Sequence, residues 1–165
     1  LRKGIMDSLR PVIHTTAIQP EWLDYNDHLN VAYYLLIFDQ AGEALVHSLG
    51  LGEEVTRATG ISWVVLENHI TYDNEVMLGD MVDVHMQLLD HDQKRLHLYF
   101  EMHVKGDKGY LAATLEQMLL CIDLNKRSST RFPDNVQAEI QTLFQSQAAL
   151  PRPKNIGRQI GIRRS

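Results

Sequence analysis

Asp24-Tyr25-Asn26-Asp27-His28-Leu29-Asn30 leads into Val31-Ala32-Tyr33-Tyr34-Leu35-Leu36-Ile37-Phe38-Asp39-Gln40-Ala41-Gly42-Glu43-Ala44-Leu45-Val46-His47-Ser48-Leu49, and Gly50 closes the run. Apolar residues at 31, 34, 35, 38, 41, 45, 46 and 49 keep the i, i+3, i+4, i+7 rhythm of a helix with one buried face. Asn30 in front is a good N-cap, and Gly50 behind is a good stop. At about 1.5 Å per residue the helix runs about 29 Å, long enough to be the axle of a small domain. Its polar feeder loop brings free backbone N–H groups and a positive dipole end to one spot. Such a spot suits an anion, or an oxyanion forming in a reaction.

Outward from this helix the period changes to two. Residues 11–18 have strand-forming composition, and Gly50, Gly52 and Gly60 bracket a short connection. Residues 61–72 form the first long strand. In 81–89, Val82, Val84, Met86 and Leu88 alternate with polar residues, as Leu96, Leu98, Phe100, Met102 and Val104 do in 95–105. Asp90 to Lys94 joins these two as a hairpin, residues 106–109 are a turn, and 110–124 are the last long strand. A second amphipathic helix starts near Pro133-Asp134 with Val136, Ile140, Leu143 and Phe144 on one face. The basic tail from Pro151 onward is punctuated by Pro and Gly and is given no regular structure. The reading is α+β: one domain over 11–148 with a tail over 149–165, its five- to six-stranded antiparallel sheet wrapped around the long helix. Such a sheet leaves edges exposed, so a homodimer or a dimer of dimers is expected, with sites where copies meet.

Composition narrows the function. A chain of 165 residues with 44% hydrophobic and 22% charged content fits one soluble domain with a real core. Its 16 basic and 21 acidic residues leave a net charge of −5, which argues against a general nucleic-acid binder. The lone cysteine, Cys121, excludes an internal disulfide framework, and its apolar strand suits an inert buried thiol. No stretch approaches the roughly 18 apolar residues of a membrane span, and Leu1 to Met6 lacks a signal-peptide core, so a cytoplasmic protein is expected.

Asp24-x-x-Asp27-His28-x-Asn30 followed by Tyr33-Tyr34 resembles the Asp-x-x-Gly-His-x-Asn motif of the 4-hydroxybenzoyl-CoA-type hot-dog thioesterases. The strand order from 12 to 124 and the proline before the second helix are similar too, so the resemblance covers about three quarters of the chain. More closely, Asp24-Tyr25-Asn26, Asn30-Val31-Ala32-Tyr33-Tyr34, Leu88-Leu89-Asp90-His91-Asp92 with Lys94-Arg95-Leu96-His97, Gly109-Tyr110-Leu111-Ala112-Ala113-Thr114 and Gly157-Arg158-x-Ile160-Gly161-Ile162 resemble the betainyl-CoA thioesterases of carnitine breakdown. The departure is Asp27, where the family usually has Gly. The resemblance implies a hot-dog fold and an acyl-CoA thioesterase in which Asp24 attacks the thioester carbonyl or activates water. The Val31 N–H falls where the family places an oxyanion donor. From residue types alone, Asp24 reads more simply as an Asx-turn or capping residue ahead of a helix, His28 as loop structure or thioester positioning, and Asn30 as the cap.

A betainyl group carries a fixed quaternary ammonium, and such cations sit over aromatic faces. Tyr25, Tyr33 and Trp63 are the expected substrate-binding rings, with Trp22 and Tyr34 also available and Glu67 adding a carboxylate. The alternative for each is ordinary packing or a solvated face. His85, His97 and His103 are expected on solvated outer strand faces, since no zinc-type spacing is present and no metal is expected. CoA enters as substrate, so no cofactor is expected; Lys94 and Arg95 are the expected phosphate partners, with Lys105, Lys108 and the tail arginines behind them. Two other classes stay open. A hot-dog hydratase needs a His/acid pair, which His28 and Asp24 imitate without the usual Phe-Pro-Gly run. A non-catalytic acyl-CoA binding module needs no turnover at all.

Overall fold

Asn30 opens the central helix as its residue type predicts. Its extended backbone (φ −64°, ψ 143°) aims Oδ1 at the Ala32 N–H, which donates at 3.0 Å. The helix, α1, spans Val31–Ser48 in this computed structural model, which describes residues 10–107, 109–162 and 164. Lys108 and the opening segment 1–9 lie outside the described residues. The strands are β1 Val12–Ala17, β2 Ile61–Tyr72, β3 Met81–His91, β4 Arg95–Val104, β5 Tyr110–Asp123 and a two-residue β6 Ser128–Ser129. They form one antiparallel sheet in the order β1-β3-β4-β5-β2, with β6 on the end of β5. This is the hot-dog architecture: a curled sheet around α1. Among the described residues no helix is long and apolar enough to cross a membrane.

The sheet's concave face meets α1. Val82, Val84, Met86 and Leu88 of β3, Leu96, Leu98, Phe100 and Met102 of β4, and Leu115, Leu119 and Cys121 of β5 are all buried there. Phe38 of α1 packs on Phe100 with ring centroids 6.2 Å apart. Burial pushes the Cys121 thiol up to about 11, so it stays protonated and inert at neutral pH. The helix is turned slightly from the face its spacing predicts. Ile37 and Gly42 are buried, whereas Val31 and Leu35 are 58% and 40% exposed. On the β1 flank Gln40 Oε1 lies 3.2 Å from His14 Nε2.

The connection after α1 holds a second helix, α2, Glu53–Thr59, where the sequence reading had only a link. It buries no side chain, so no hydrophobic period announces it. Its marks are polar: Glu53 and Glu54 in the first turn, and Gly60 closing it at φ 74°. A Cβ on Gly60 would meet the Asn125 side chain as well as the left-handed backbone. Gly60→Ala is therefore expected to cost about 1–2 kcal/mol, read as a lower urea midpoint at unchanged slope. The last helix, α3, spans Asp134–Ser146 and buries Val136 and Ile140 as its period predicts. Just beyond it, Gln147 closes a gap in the edge of β3. Its Oε1 accepts from Leu88 N–H at 2.8 Å, and its Nε2 donates to Met86 O at 3.2 Å.

The convex face corrects one expectation. His85, His97 and His103 are half-buried and partnered rather than solvated. His97 Nε2 lies 2.8 Å from Glu116 Oε1, His103 Nε2 lies 3.2 Å from Glu101 Oε2, and His85 Nδ1 lies 2.8 Å from Arg10 O. The tail, although without regular structure, lies across this face. Arg10 donates to Pro151 O at 3.1 Å while its guanidinium stacks over Tyr99. Tyr99 O–H donates to Asn155 Oδ1 at 2.8 Å, Asn155 Nδ2 donates to Thr114 Oγ1 at 2.9 Å, and Gly157 N–H donates to Glu116 Oε2 at 2.7 Å. Polar outer residues are thus covered by residues far away in sequence, which alternation alone does not reveal.

Candidate active site

The loop ahead of α1 is tied into a closed knot. Asp24 N–H donates to His28 O at 2.8 Å, Asp27 N–H to Asp24 O at 3.2 Å, and Asn30 N–H to Trp22 O at 2.9 Å. Asp24 Oδ1 accepts from Asn26 N–H at 2.7 Å and from His28 N–H at 3.3 Å. The Asx-turn reading of Asp24 therefore holds for one carboxylate oxygen. The other, Oδ2, has no hydrogen-bond partner among the described residues and remains available for chemistry. Asp27 sits at φ 62°, the left-handed region that glycine enters freely. That explains the glycine of related motifs, and aspartate is among the few other residues that tolerate the position.

The next residues supply a donor. Asn30 caps the Ala32 N–H, and its carbonyl takes the Tyr33 N–H at 2.9 Å. The Val31 N–H has no acceptor among the described residues and stands at the positive end of the α1 dipole. A half-used carboxylate and an unused amide in one short segment can together attack a carbonyl and receive its oxyanion.

A second segment braces the loop. Leu29 N–H donates to Val76 O at 2.7 Å, and His28 bridges Met77. The imidazole turns to Glu75, with Nε2 3.4 Å from Oε2, so His28 links the loop to residues 75–77. Tyr34 O–H donates to Asn74 O at 3.3 Å and Tyr110 O–H donates to Glu75 O at 2.9 Å, fixing that segment from below. Burial pushes the Tyr34 phenol up to about 12, so it serves as a neutral donor. Glu75 was not singled out from sequence; an isolated Glu in a polar run carries no signal.

The expected substrate-binding residues divide. Tyr33 is beside the loop, stacked on Trp22 at 5.9 Å and 19°. Tyr25 is at the loop tip and 96% exposed. Trp63 and Glu67 do not join them within one protomer. Trp63 pairs with Cys121 near the start of β2, about 30 Å of strand away from Tyr72. A bulge between Val65 and Glu67 resets the alternation, so Glu67 faces out opposite Met118. There it lines a convex-face cleft of about 350 Å³ with His69, His97, Glu116 and Arg158.

The expected phosphate partners also divide. Arg95 is spent on Asp92 in its own hairpin, with Nε donating to Oδ2 at 2.8 Å. Lys94 Nζ reaches Ser129 Oγ at 3.3 Å. Ser129 lines a cleft of about 480 Å³ with Ser128, Arg127 and Ile122. The short run Lys126-Arg127-Ser128-Ser129 is the sequence signal for this cleft.

The family profile described as the thioesterase-like superfamily matches residues 18–140. The chain belongs to this superfamily. A betainyl-CoA thioesterase of Pseudomonas aeruginosa is 41% identical over 149 residues, covering 90% of this chain and 93% of the relative. The bifunctional L-carnitine dehydrogenase/betainyl-CoA thioesterase of Rhizobium meliloti is 32% identical over 90% of this chain, which spans 30% of that protein. Among solved structures, a Staphylococcus aureus protein in complex with CoA superposes with TM-score 0.87 at 30% identity, covering 95% of this chain and 99% of its own. A putative thioesterase from Pseudomonas putida gives TM-score 0.81 at 35% identity, covering 94% and 98%. This thioesterase-like chain is thus an acyl-CoA thioester hydrolase, which sets aside the hydratase and the non-catalytic binding module.

Proposed function

We propose that the protein hydrolyses betainyl-CoA to betaine and CoA, as a step of carnitine degradation in the cytoplasm. The observation that carries the chemistry is the pairing of a free Asp24 Oδ2 with the unfilled Val31 N–H. A thioester has a good leaving thiolate, so a carboxylate and an oxyanion donor suffice. In this reading His28, held by Glu75, orients the ester, and Asn30 keeps the amides of α1 aimed at its carbonyl oxygen. Lys94, with Arg127 and the two serines, takes the CoA phosphates.

Charge supports the choice of acyl group. Between residues 11 and 93, the stretch that builds the Asp24 loop and its brace, Arg57 is the only Lys or Arg. Asp27 in the loop and Glu75 and Asp80 in its brace instead give this segment negative charge, which favours a cationic ester over a neutral or anionic one. The likeness to the Pseudomonas aeruginosa enzyme points the same way. We further infer a homodimer, or a dimer of dimers, formed through the free edge of β2. The phosphate cleft and the Asp24 loop stand at opposite ends of that strand, about 36 Å apart along it, so one CoA ester needs the loop of one copy and the cleft of another.

Thiol release from a panel of CoA esters tests the reading. Betainyl-CoA is expected to exceed butyryl-CoA in kcat/KM by about tenfold or more, the worth of one well-placed cation contact. Equal rates across the panel would remove the betainyl assignment and leave the hydrolase.

A further inference from the structure

A quaternary ammonium has no hydrogen-bond donor, so recognising it takes an accessible, desolvated ring face. Beside the Asp24 loop of a single chain most described ring faces are covered or stand in water. Trp22 and Tyr33 each give one face to the other, Tyr34 is buried against Tyr72 at 89°, Tyr72 itself is 49% exposed, and Tyr25 stands in water. Trp63 is half-buried on the concave face, yet its own loop is a strand length away.

The edge of β2 resolves this. β5 lines one side of the strand, and among the described residues no strand lines the other. Twelve residues of unpaired edge are a template for another strand. Apolar side chains are left open along β2 and on α1: Val64, Leu66 and Tyr72 of β2 and Val31 and Leu35 of α1 are between 36% and 58% exposed. Two copies related by a twofold axis pair such edges antiparallel, and the surface is then complementary to itself. That pairing sets the Ile61 end of each β2 against the Tyr72 end of the other. The Tyr72 end is where each copy keeps its chemistry, through Tyr34, Asn74 and the 75–77 brace of the loop. Trp63 stands opposite Cys121 and Tyr72 opposite Ala113, both on the buried side of β5, so the indole and the neighbouring site share the concave face.

We propose that Trp63 completes the active site of a second copy, its indole face holding the quaternary ammonium of a cationic acyl ester whose carbonyl meets that copy's Asp24. The inference rests on the betainyl reading above and adds which chain supplies the ring.

Subunit mixing tests it with the full-length protein. Trp63→Leu is expected to lower the preference for betainyl-CoA over butyryl-CoA about 10- to 30-fold. Trp63→Tyr, which keeps a smaller ring and empties less of the core, is expected to fall between Leu and wild type. Asp24→Asn and Trp63→Leu chains are then co-expressed with different tags and the mixed dimer is isolated. A shared site gives one intact centre per mixed dimer, hence about half the wild-type rate at low betainyl-CoA, from two parents that are each far weaker. A mixed dimer no faster than its Trp63→Leu parent, or a wild-type protein that runs as a monomer, overturns the inference while leaving hydrolysis standing. A wild-type protein that cleaves only neutral esters overturns the betainyl reading and this inference with it.

Discussion

Asp24→Asn is expected to lower kcat by about 10³- to 10⁴-fold, while the folded protein still binds acyl-CoA. Asparagine keeps an Oδ1, so the hydrogen bonds from Asn26 and His28 N–H survive and the loop keeps its shape. What is lost is the negative Oδ2, the one oxygen of the loop carboxylate that the fold does not use. The two tasks of Asp24 are thereby separated in a single substitution. Asp24→Ala would blur them, since it also frees two backbone donors and destabilises the loop by about 1–2 kcal/mol. Steady-state hydrolysis together with the binding of a non-hydrolysable CoA ether is the direct measurement. An Asn variant with near wild-type turnover removes Asp24 from the chemistry. A single turnover in ¹⁸O water then tests for carboxylate attack: label entering Asp24 marks an acyl–aspartyl anhydride opened at the aspartyl carbonyl.

Phe38→Ala is expected to cost about 3–5 kcal/mol, measured as a fall in the urea midpoint at constant slope. Phe38 is fully buried and packs on Phe100, so deleting its ring opens a cavity where helix and sheet are held together. Against a total stability of about 5–15 kcal/mol for a domain, this substitution alone can leave much of the chain unfolded. The effect should exceed that of Leu35→Ala on the same helix, because Leu35 is 40% exposed and leaves no comparable void.

These two residues mark what was readable from sequence. Phe38 lay in a long uninterrupted helical period, and Asp24 lay in a turn-rich motif ending in a cap. In both cases neighbours in sequence make the structure, so local pattern suffices. Glu67 faces out because one bulged residue turns the strand over, and a bulge between Val65 and Glu67 leaves no mark in the alternation. The α2 helix escaped because it buries nothing. The convex-face histidines were misread because Arg10, Glu116 and the tail segment that covers Glu116 lie far along the chain, and Glu101 beside His103 is itself held by the distant Arg10. Lys94 reaches Ser129, so the neighbours of its ammonium sit beyond β5 rather than in its own hairpin.

Residues 151–157 leave the ribosome only after every strand of the sheet has been made. Until they arrive, Tyr99 O–H must donate to water, Thr114 lacks the Asn155 donor, and Glu116 lacks its backbone donor. The outside of the newborn sheet therefore stays wet through most of synthesis and dries last, so the order of translation itself decides which side of this protein is finished first.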